Sequence, residues 1–331
     1  MAGPVGIIAN PASGKDIRRL VAHASVFDNQ EKRNIVRRAV LGAVAAGVSE
    51  FLFMPDRHRI VEMAIDGLDA DASFTAVETP DTSSVLDTIR AAARMREAGC
   101  GVVITLGGDG TNRAVALGWQ DAPLVAISTG TNNVFPRMVE ATVAGAAAGL
   151  VAVGSLALEE VARQSKLVHV GIEGEPTDIA LIDAVLLDEP FVGSRAVWDA
   201  RRLVAMVLAR AEPGVVGLSS VGGLLHPVGE RDDGGLALIC GEGGNTVLAP
   251  IAPGHYLDVA VADHRRIAEG EAVELRGPGV LAFDGERERR LKPGQVARLT
   301  VRRDGPWAVD VALALRQAAC RGLFRGETHG N

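Results

Sequence analysis

Apolar residues follow two regimes along the chain. In the first half, short continuous runs alternate with segments of helical spacing. Val5-Gly6-Ile7-Ile8-Ala9 is apolar throughout and ends in the turn Asn10-Pro11-Ala12-Ser13-Gly14. Ile35, Val36, Ala39, Val40, Ala43 and Val44 then recur one helical turn apart. Phe51-Leu52-Phe53-Met54 reads as a strand stopped by Pro55, and Phe74-Thr75-Ala76-Val77 as another. Ser84 and Asp87 have the spacing of a capping box that opens a helix through Arg96. A strand over residues 101–106, a short helix from Asn112 and the strand Leu124-Val125-Ala126-Ile127 follow. Strands apolar on both faces and separated by helices predict a parallel sheet covered on both sides. Such sheets bind ligands beyond the carboxyl ends of their strands.

After about Ser165 the period shortens to two, as in Val168, Val170, Ile172 and in Ala297, Leu299, Val301. Glycine and proline punctuate this half densely. A helix is expected over residues 196–211, and a helical tail over 309–323 that returns to the first domain. The pattern predicts an α/β plus β protein. Residues 1–160 form an N-terminal doubly wound α/β domain, 161–305 a C-terminal β-rich domain, and 306–331 a C-terminal segment on the first domain.

Composition narrows the partners. The 331 residues are 47% hydrophobic and 23% charged with net charge -7, so nothing draws the chain generally to nucleic acid or acidic membranes. Cys100, Cys240 and Cys320 are scattered and form no paired motif, which fits a reducing, cytoplasmic setting. The uncharged, alanine-rich stretch 141–158 is interrupted by Gly145, Gly149 and Gly154. It reads as a buried helix rather than a membrane span.

The chemistry concentrates at strand ends. Gly107-Gly108-Asp109-Gly110-Thr111 follows a buried strand and opens a helix, so its backbone N–H groups suit phosphate oxygens. Asp109 repels phosphate and instead suits a Mg²⁺ partner or a base for a hydroxyl proton, both roles in phosphoryl transfer. Arg113 stands where a dinucleotide fingerprint needs glycine, and Gly14-Lys15 lacks the rest of a Walker A loop. Ser128-Thr129-Gly130-Thr131-Asn132-Asn133 is a second such loop, and the turn bearing Asn10 and Ser13 a third. In a doubly wound sheet all three converge on one edge. In the second half, Asp284-Gly285 has the form of a hairpin turn, followed by Glu286, and residues 217–223 read as a flexible hydroxyl-bearing loop with Ser219 and Ser220.

Gly107-Gly108-Asp109-Gly110-Thr111 resembles the shared motif of NAD kinases, diacylglycerol kinases and sphingosine kinases. The chain is most similar to the ATP-NAD kinase branch that includes acetoin catabolism protein X. Asn10 to Lys15, Gly130 to Pro136, Leu248 to Gly254 and Phe283 to Glu286 support this in family order. The resemblance implies ATP and Mg²⁺ in an inter-domain cleft, an essential Asp109, transfer of the γ-phosphoryl group to a hydroxyl, and a homodimer or larger oligomer. It implies Asn10, Ser13, Gly107, Gly108, Gly110, Thr111 and residues 129–133 for the nucleotide. Glu286 matches the lipid kinases' base position. Departures fall on the acceptor side. Arg113-Ala114 replaces the lipid kinases' Asn-Glu. Ile182-Asp183 and Leu218-Ser219-Ser220 replace residues that contact NAD in NAD kinases. Asp183, Ser219, Ser220 and Asp284 are therefore the substrate candidates, with NAD or a smaller polyol or acetoin-related compound as acceptor.

Overall fold

The structure, a computed structural model, describes residues 3–13, 28–130, 132–189 and 200–325. Its first part runs β1 (Val5–Ala9), α1 (Asn29–Ala45), β2 (Glu50–Phe53), α2 (Ile60–Ile65), β3 (Ser73–Ala76), α3 (Val85–Glu97), β4 (Val102–Gly107), α4 (Asp109–Gly118), β5 (Pro123–Ser128), α5 (Ala141–Ala152) and α6 (Leu158–Val161). The second part continues β6 (Ala162–Gln164), β7 (Leu167–Ile172), β8 (Asp178–Ala180), β9 (Asp183–Leu187), β10 (Leu203–Leu208), α7 (Leu218–Leu225), β11 (Gly235–Ala252) and β12 (His255–Ile267). It finishes with β13 (Ala272–Arg276), β14 (Gly279–Phe283), β15 (Glu286–Leu291), β16 (Val296–Arg302), β17 (Trp307–Val309) and α8 (Val311–Cys320).

The first sheet has the order β3-β2-β1-β4-β5-β17-β6, with β1 to β5 parallel. That is the expected doubly wound α/β layout. The order of strand addition reverses between the parallel strands β1 and β4, so the loops leaving these two strands open a crevice at their carboxyl ends. Helices hold the sheet on both faces because each carries one apolar stripe. On α1 this stripe is Ile35, Val36, Ala39, Val40 and Ala43, all buried. Asp28 caps α1 by accepting from Glu31 N at 2.7 Å. The anticipated capping box is present on α3, where Ser84 and Asp87 serve each other's backbone.

The alanine-rich segment is α5, which lies directly against α1. A Cβ on Gly145 would meet the Ala39 carbonyl and one on Gly42 the Thr142 carbonyl, so backbone touches backbone there. Gly145→Ala is expected to destabilise the fold by about 2 kcal/mol through forced separation of the helices. A shift in the urea midpoint with unchanged slope would measure it. Among the described residues no helix is long and apolar enough to cross a membrane.

The second part is two antiparallel sheets, β12-β11-β10-β9-β14-β15 and β13-β16-β7-β8. Their inner faces share one core, which includes Val168, Val170, Leu186, Val207, Leu281, Phe283, Leu299 and Val301. β17 and α8 return to the first sheet. β17 pairs parallel with β5 and antiparallel with β6, and Ala314 and Ala318 of α8 are buried in the first core.

Three expectations change. The helix over 196–211 is replaced, where described, by β10, which lies between β9 and β11. Five of its six residues are buried, so no alternation marked it as a strand, and its Leu, Ala and Met content favoured helix. The loop over 217–223 is mostly α7. Its Gly222 and Gly223 serve close contact rather than flexibility, since added Cβ atoms would meet Leu208 and Leu236, and the Glu212 backbone. The helix expected from Asn112 starts at Asp109, so Asp109, Gly110 and Thr111 form its first turn.

Candidate active site

The crevice between β1 and β4 opens into a cleft of about 820 Å³, floored by the first sheet and roofed by the β-rich part. Hydrogen bonds join its three loops into one body. Asn10 Nδ2 donates to Thr111 Oγ1 at 2.9 Å, tying the β1 loop to α4. Thr129 Oγ1 bonds Ser13 Oγ at 2.9 Å, tying the same loop to the one after β5. Asn133 Nδ2 donates to Ser128 Oγ at 2.8 Å, and Ser128 Oγ donates to Gly130 O at 2.7 Å. Beneath them Thr105 holds Asn112, whose amide donates to Gly108 O at 2.9 Å.

Glycine is required at the turn itself. A Cβ on Gly107 would fall inside the Thr111 side chain, and one on Gly108 would lie 2.7 Å from Asn133 Oδ1. Gly108 caps α4 without a side chain, leaving first-turn N–H groups toward the cleft. The residues present therefore fit a phosphate chain.

The Asp109 side chain turns from the start of α4 toward the segment after β5. Its carboxylate accepts from Phe135 N at 2.8 Å and from Val134 N at 3.0 and 3.2 Å. Burial pushes its carboxyl from the ordinary 3.8 up to about 7, and the Asp284 charge adds to this. The Phe135 and Val134 N–H groups and the Arg210 guanidinium pull the other way without winning. Asp284 sits at the β14–β15 turn with φ 49°, a left-handed conformation that Asp tolerates. It accepts from Leu181 N and Ile182 N at 2.8 Å and from Asp183 N at 3.3 Å. Burial raises its carboxyl too, against the Arg113 guanidinium and those three N–H groups. Two desolvated carboxyls thus face one cleft from opposite parts of the molecule.

Of the other sequence-derived candidates, Asn10, Ser13, Gly108, Gly110, Thr111, Thr129, Asn132 and Asn133 line the cleft from the first part. Asp183, Ser219, Asp284 and Glu286 line it from the second. Glu286 closes over the start of α4, where a Cβ on Gly110 would stand 3.1 Å from its Oε1. Gly107 and Gly130 are not in the lining. Ser220 is not in the lining, and its hydroxyl donates to Gly217 O at 2.7 Å. Ser219 is in the lining, yet its hydroxyl donates to Arg210 O at 2.7 Å. Thr131 and Lys15 lie outside the described residues.

The sequence reading missed several participants. Met54 to His58 and, from the segment after β3, Asp81, Ser83 to Val85, Asp87 and Thr88 line the far side, and Val216, Leu218, Ile251 and Ala252 form an apolar wall. The first two groups follow parallel strands, so the strand-end rule could have found them. Lys32 has no such signal. It sits in a charged run, Glu31-Lys32-Arg33, that looks solvated, and it is fully buried. Arg113 is also buried. It reaches from α4 to the β-rich part, donating to Ile179 O at 2.6 Å and to Asp178 at 2.7 Å, over the Phe283 ring.

A doubly wound sheet with a glycine loop at its switch point, roofed by a β-rich layer, is the plan of the ATP-NAD kinase-like class. Residues 5–155 match the family model described as ATP-NAD kinase N-terminal domain. Residues 166–304 match that of the acetoin catabolism protein X C-terminal domain. The chain belongs to the acetoin catabolism protein X family, within this kinase-like group. Acetoin catabolism protein X of Cupriavidus necator is 40% identical over 340 residues, covering 98% of this chain and 95% of that protein. Among solved structures, yeast NADH kinase complexed with NADH aligns at 12% identity and TM-score 0.46, covering 100% of this chain and 90% of that one. A Bacillus anthracis protein assigned as a diacylglycerol kinase aligns at 14% identity and TM-score 0.42, covering 91% of this chain and 97% of that one.

Proposed function

We propose that this protein is an ATP-dependent phosphotransferase that phosphorylates a hydroxyl of a small molecule. The carrying observation is the set of three interlocked strand-end loops around the N-terminus of α4, with a carboxyl of raised pKa beside them. In this reading the N–H groups of Gly108 to Thr111, with Asn10, Ser13, Thr129 and the Asn132-Asn133 pair, bind the nucleotide. Asp109, ionised above about pH 7, accepts the acceptor's hydroxyl proton. The freed oxygen bonds to the γ-phosphorus as the bond to the bridging oxygen breaks, and ADP leaves. Among the described residues no group of three or more His, Cys, Asp or Glu side chains could hold a metal. Mg²⁺ would therefore arrive on the nucleotide phosphates, with Asp109 or Asp284 as its protein partner, and neutralise charge during transfer.

The acceptor half favours a compact hydroxylated compound. Its wall is Val216, Leu218, Ile251 and Ala252, and among the described residues the cleft lining includes no Phe, Tyr or Trp on which a base could stack. NAD remains the comparison substrate. The test offers the purified protein γ-labelled ATP, Mg²⁺ and either NAD or a panel of short diols and hydroxyketones. Label on a small hydroxy compound supports the reading, and label on NAD makes the protein an NAD kinase. Binding of ATP without transfer to any acceptor makes it a nucleotide-binding protein without turnover. No ATP binding at all overturns every version.

A further inference from the structure

Lys32 lies outside the cleft lining, yet it governs the shape of the first loop. It sits on the buried face of α1 with no exposed surface. Its ammonium donates to Asn10 O at 2.9 Å, Pro11 O at 3.0 Å and Ser13 O at 2.6 Å. Taking an ammonium out of water costs several kcal/mol unless carbonyls replace the lost hydration, and here three carbonyls of one four-residue turn do so. The turn also closes on itself. Ala12 N donates to Asn10 Oδ1 at 2.9 Å, and Ser13 Oγ donates to Asn10 O at 2.8 Å. With these carbonyls drawn inward to Lys32, the Asn10 amide is left for Thr111 and the Ser13 hydroxyl for Thr129. Those two bonds tie the β1 loop to the other two loops.

We propose that Lys32 is a positioning residue for nucleotide binding: its buried ammonium fixes the Asn10–Ser13 turn in the conformation that locks the three phosphate loops into one site. It adds a fixed positive charge behind a seat for anionic phosphate, where low dielectric makes that charge effective. The inference rests on the phosphotransferase reading, because it assumes that the three loops bind a nucleoside triphosphate.

The test measures ATP–Mg²⁺ affinity by calorimetry for the wild type, Lys32→Met and Lys32→Arg, alongside thermal unfolding of each. Lys32→Met keeps the stem and removes the charge and donors. It is expected to weaken ATP binding by about tenfold to a hundredfold, the loss for a set of charge-assisted hydrogen bonds. Lys32→Arg is expected to recover part of that loss. In turnover assays the effect falls on the KM for ATP and leaves the acceptor KM in place. A lysine that only stabilised the fold would lower the unfolding midpoint and the active fraction, with unchanged ATP affinity in the folded fraction. That result overturns the proposal. If neither variant folds, hydrogen exchange on the unmodified protein decides. ATP–Mg²⁺ must slow exchange at Ala12 and Ser13 by about tenfold or more, and unchanged exchange overturns the proposal. A wild type that binds no ATP removes the phosphotransferase reading first and this inference with it.

Discussion

Asp109→Asn is expected to lower turnover by about a thousandfold while ATP affinity changes little. In the proposed reading the phosphates are held by backbone N–H groups and neighbouring hydroxyls and amides, and these do not depend on the Asp109 charge. Proton acceptance does. In the wild type the rate should rise with pH through about 7 and level off above it, as the Asp109 carboxyl ionises. Asp284→Asn removes the like charge facing it, so the rising limb should move to lower pH. Stability should move in the opposite sense. The folded-state pKa of Asp109 lies above its ordinary 3.8, so the folded protein holds this proton more tightly than the unfolded chain. The stability contributed by that proton is complete below about pH 4, falls as pH rises to about 7, and is gone above it. Asp109→Asn should therefore gain on the wild type at pH 8, by on the order of a few kcal/mol, with the gain shrinking toward pH 4. Rate profiles and unfolding curves across pH 4 to 9 measure both. A variant within tenfold of wild-type turnover would rule out Asp109 as the base.

Arg113→Met should destabilise the protein by about 3–5 kcal/mol, the usual loss when one partner leaves a buried ion pair. Arg113 lies four residues after Asp109 on α4. It is 4% exposed, so its bond to Asp178, the Ile179 carbonyl and the Phe283 face are all shielded from water. Asp178 keeps Arg289, which bonds it at 3.2 and 3.3 Å from β15. The variant therefore leaves the buried Asp178 carboxylate with a single, part-exposed guanidinium in place of two. Asp284 directly follows Phe283, so release of this contact should also loosen the second carboxyl and reduce activity in protein that is still folded. Urea titration gives the stability change. Adding Asp178→Leu to Arg113→Met should recover part of the loss, because the buried carboxylate held only by the part-exposed Arg289 goes too. Additive losses would show that the two side chains act independently.

Local patterning made most of the first half legible. β1, β4 and β5 are largely apolar, and α1 and α3 declare themselves by their stripes and by the Ser84–Asp87 box. The glycine loop was legible as a candidate site because it lies between a buried strand and a helix, and the structure places it in the cleft at the switch point of the sheet. What stayed hidden depends on residues far apart in sequence. β10 looks helical until β9 and β11 flank it. Gly222 and Gly223 look like a flexible loop until Leu208, Leu236 and Glu212 come against them. Lys32 looks like a surface lysine until the β1 loop folds over it. Arg113 reads as a missing Asn-Glu pair, and only the fold supplies Asp178, 65 positions away, as its partner.

The place of β17 bears on how the molecule is made. Trp307 and Ala308 pair with Pro123 and Leu124, so the β5 edge of the first sheet is closed by residues translated after both β-rich sheets. Until then a ribosome-bound chain carries the Pro123–Leu124 end of β5 with one side unpaired, the kind of open edge that recruits stray strands. Closing it requires a long-range contact, which slows folding. Nascent chains halted between β16 and β17 should therefore be the most aggregation-prone intermediates, and those that include residues 307–309 should be markedly less so.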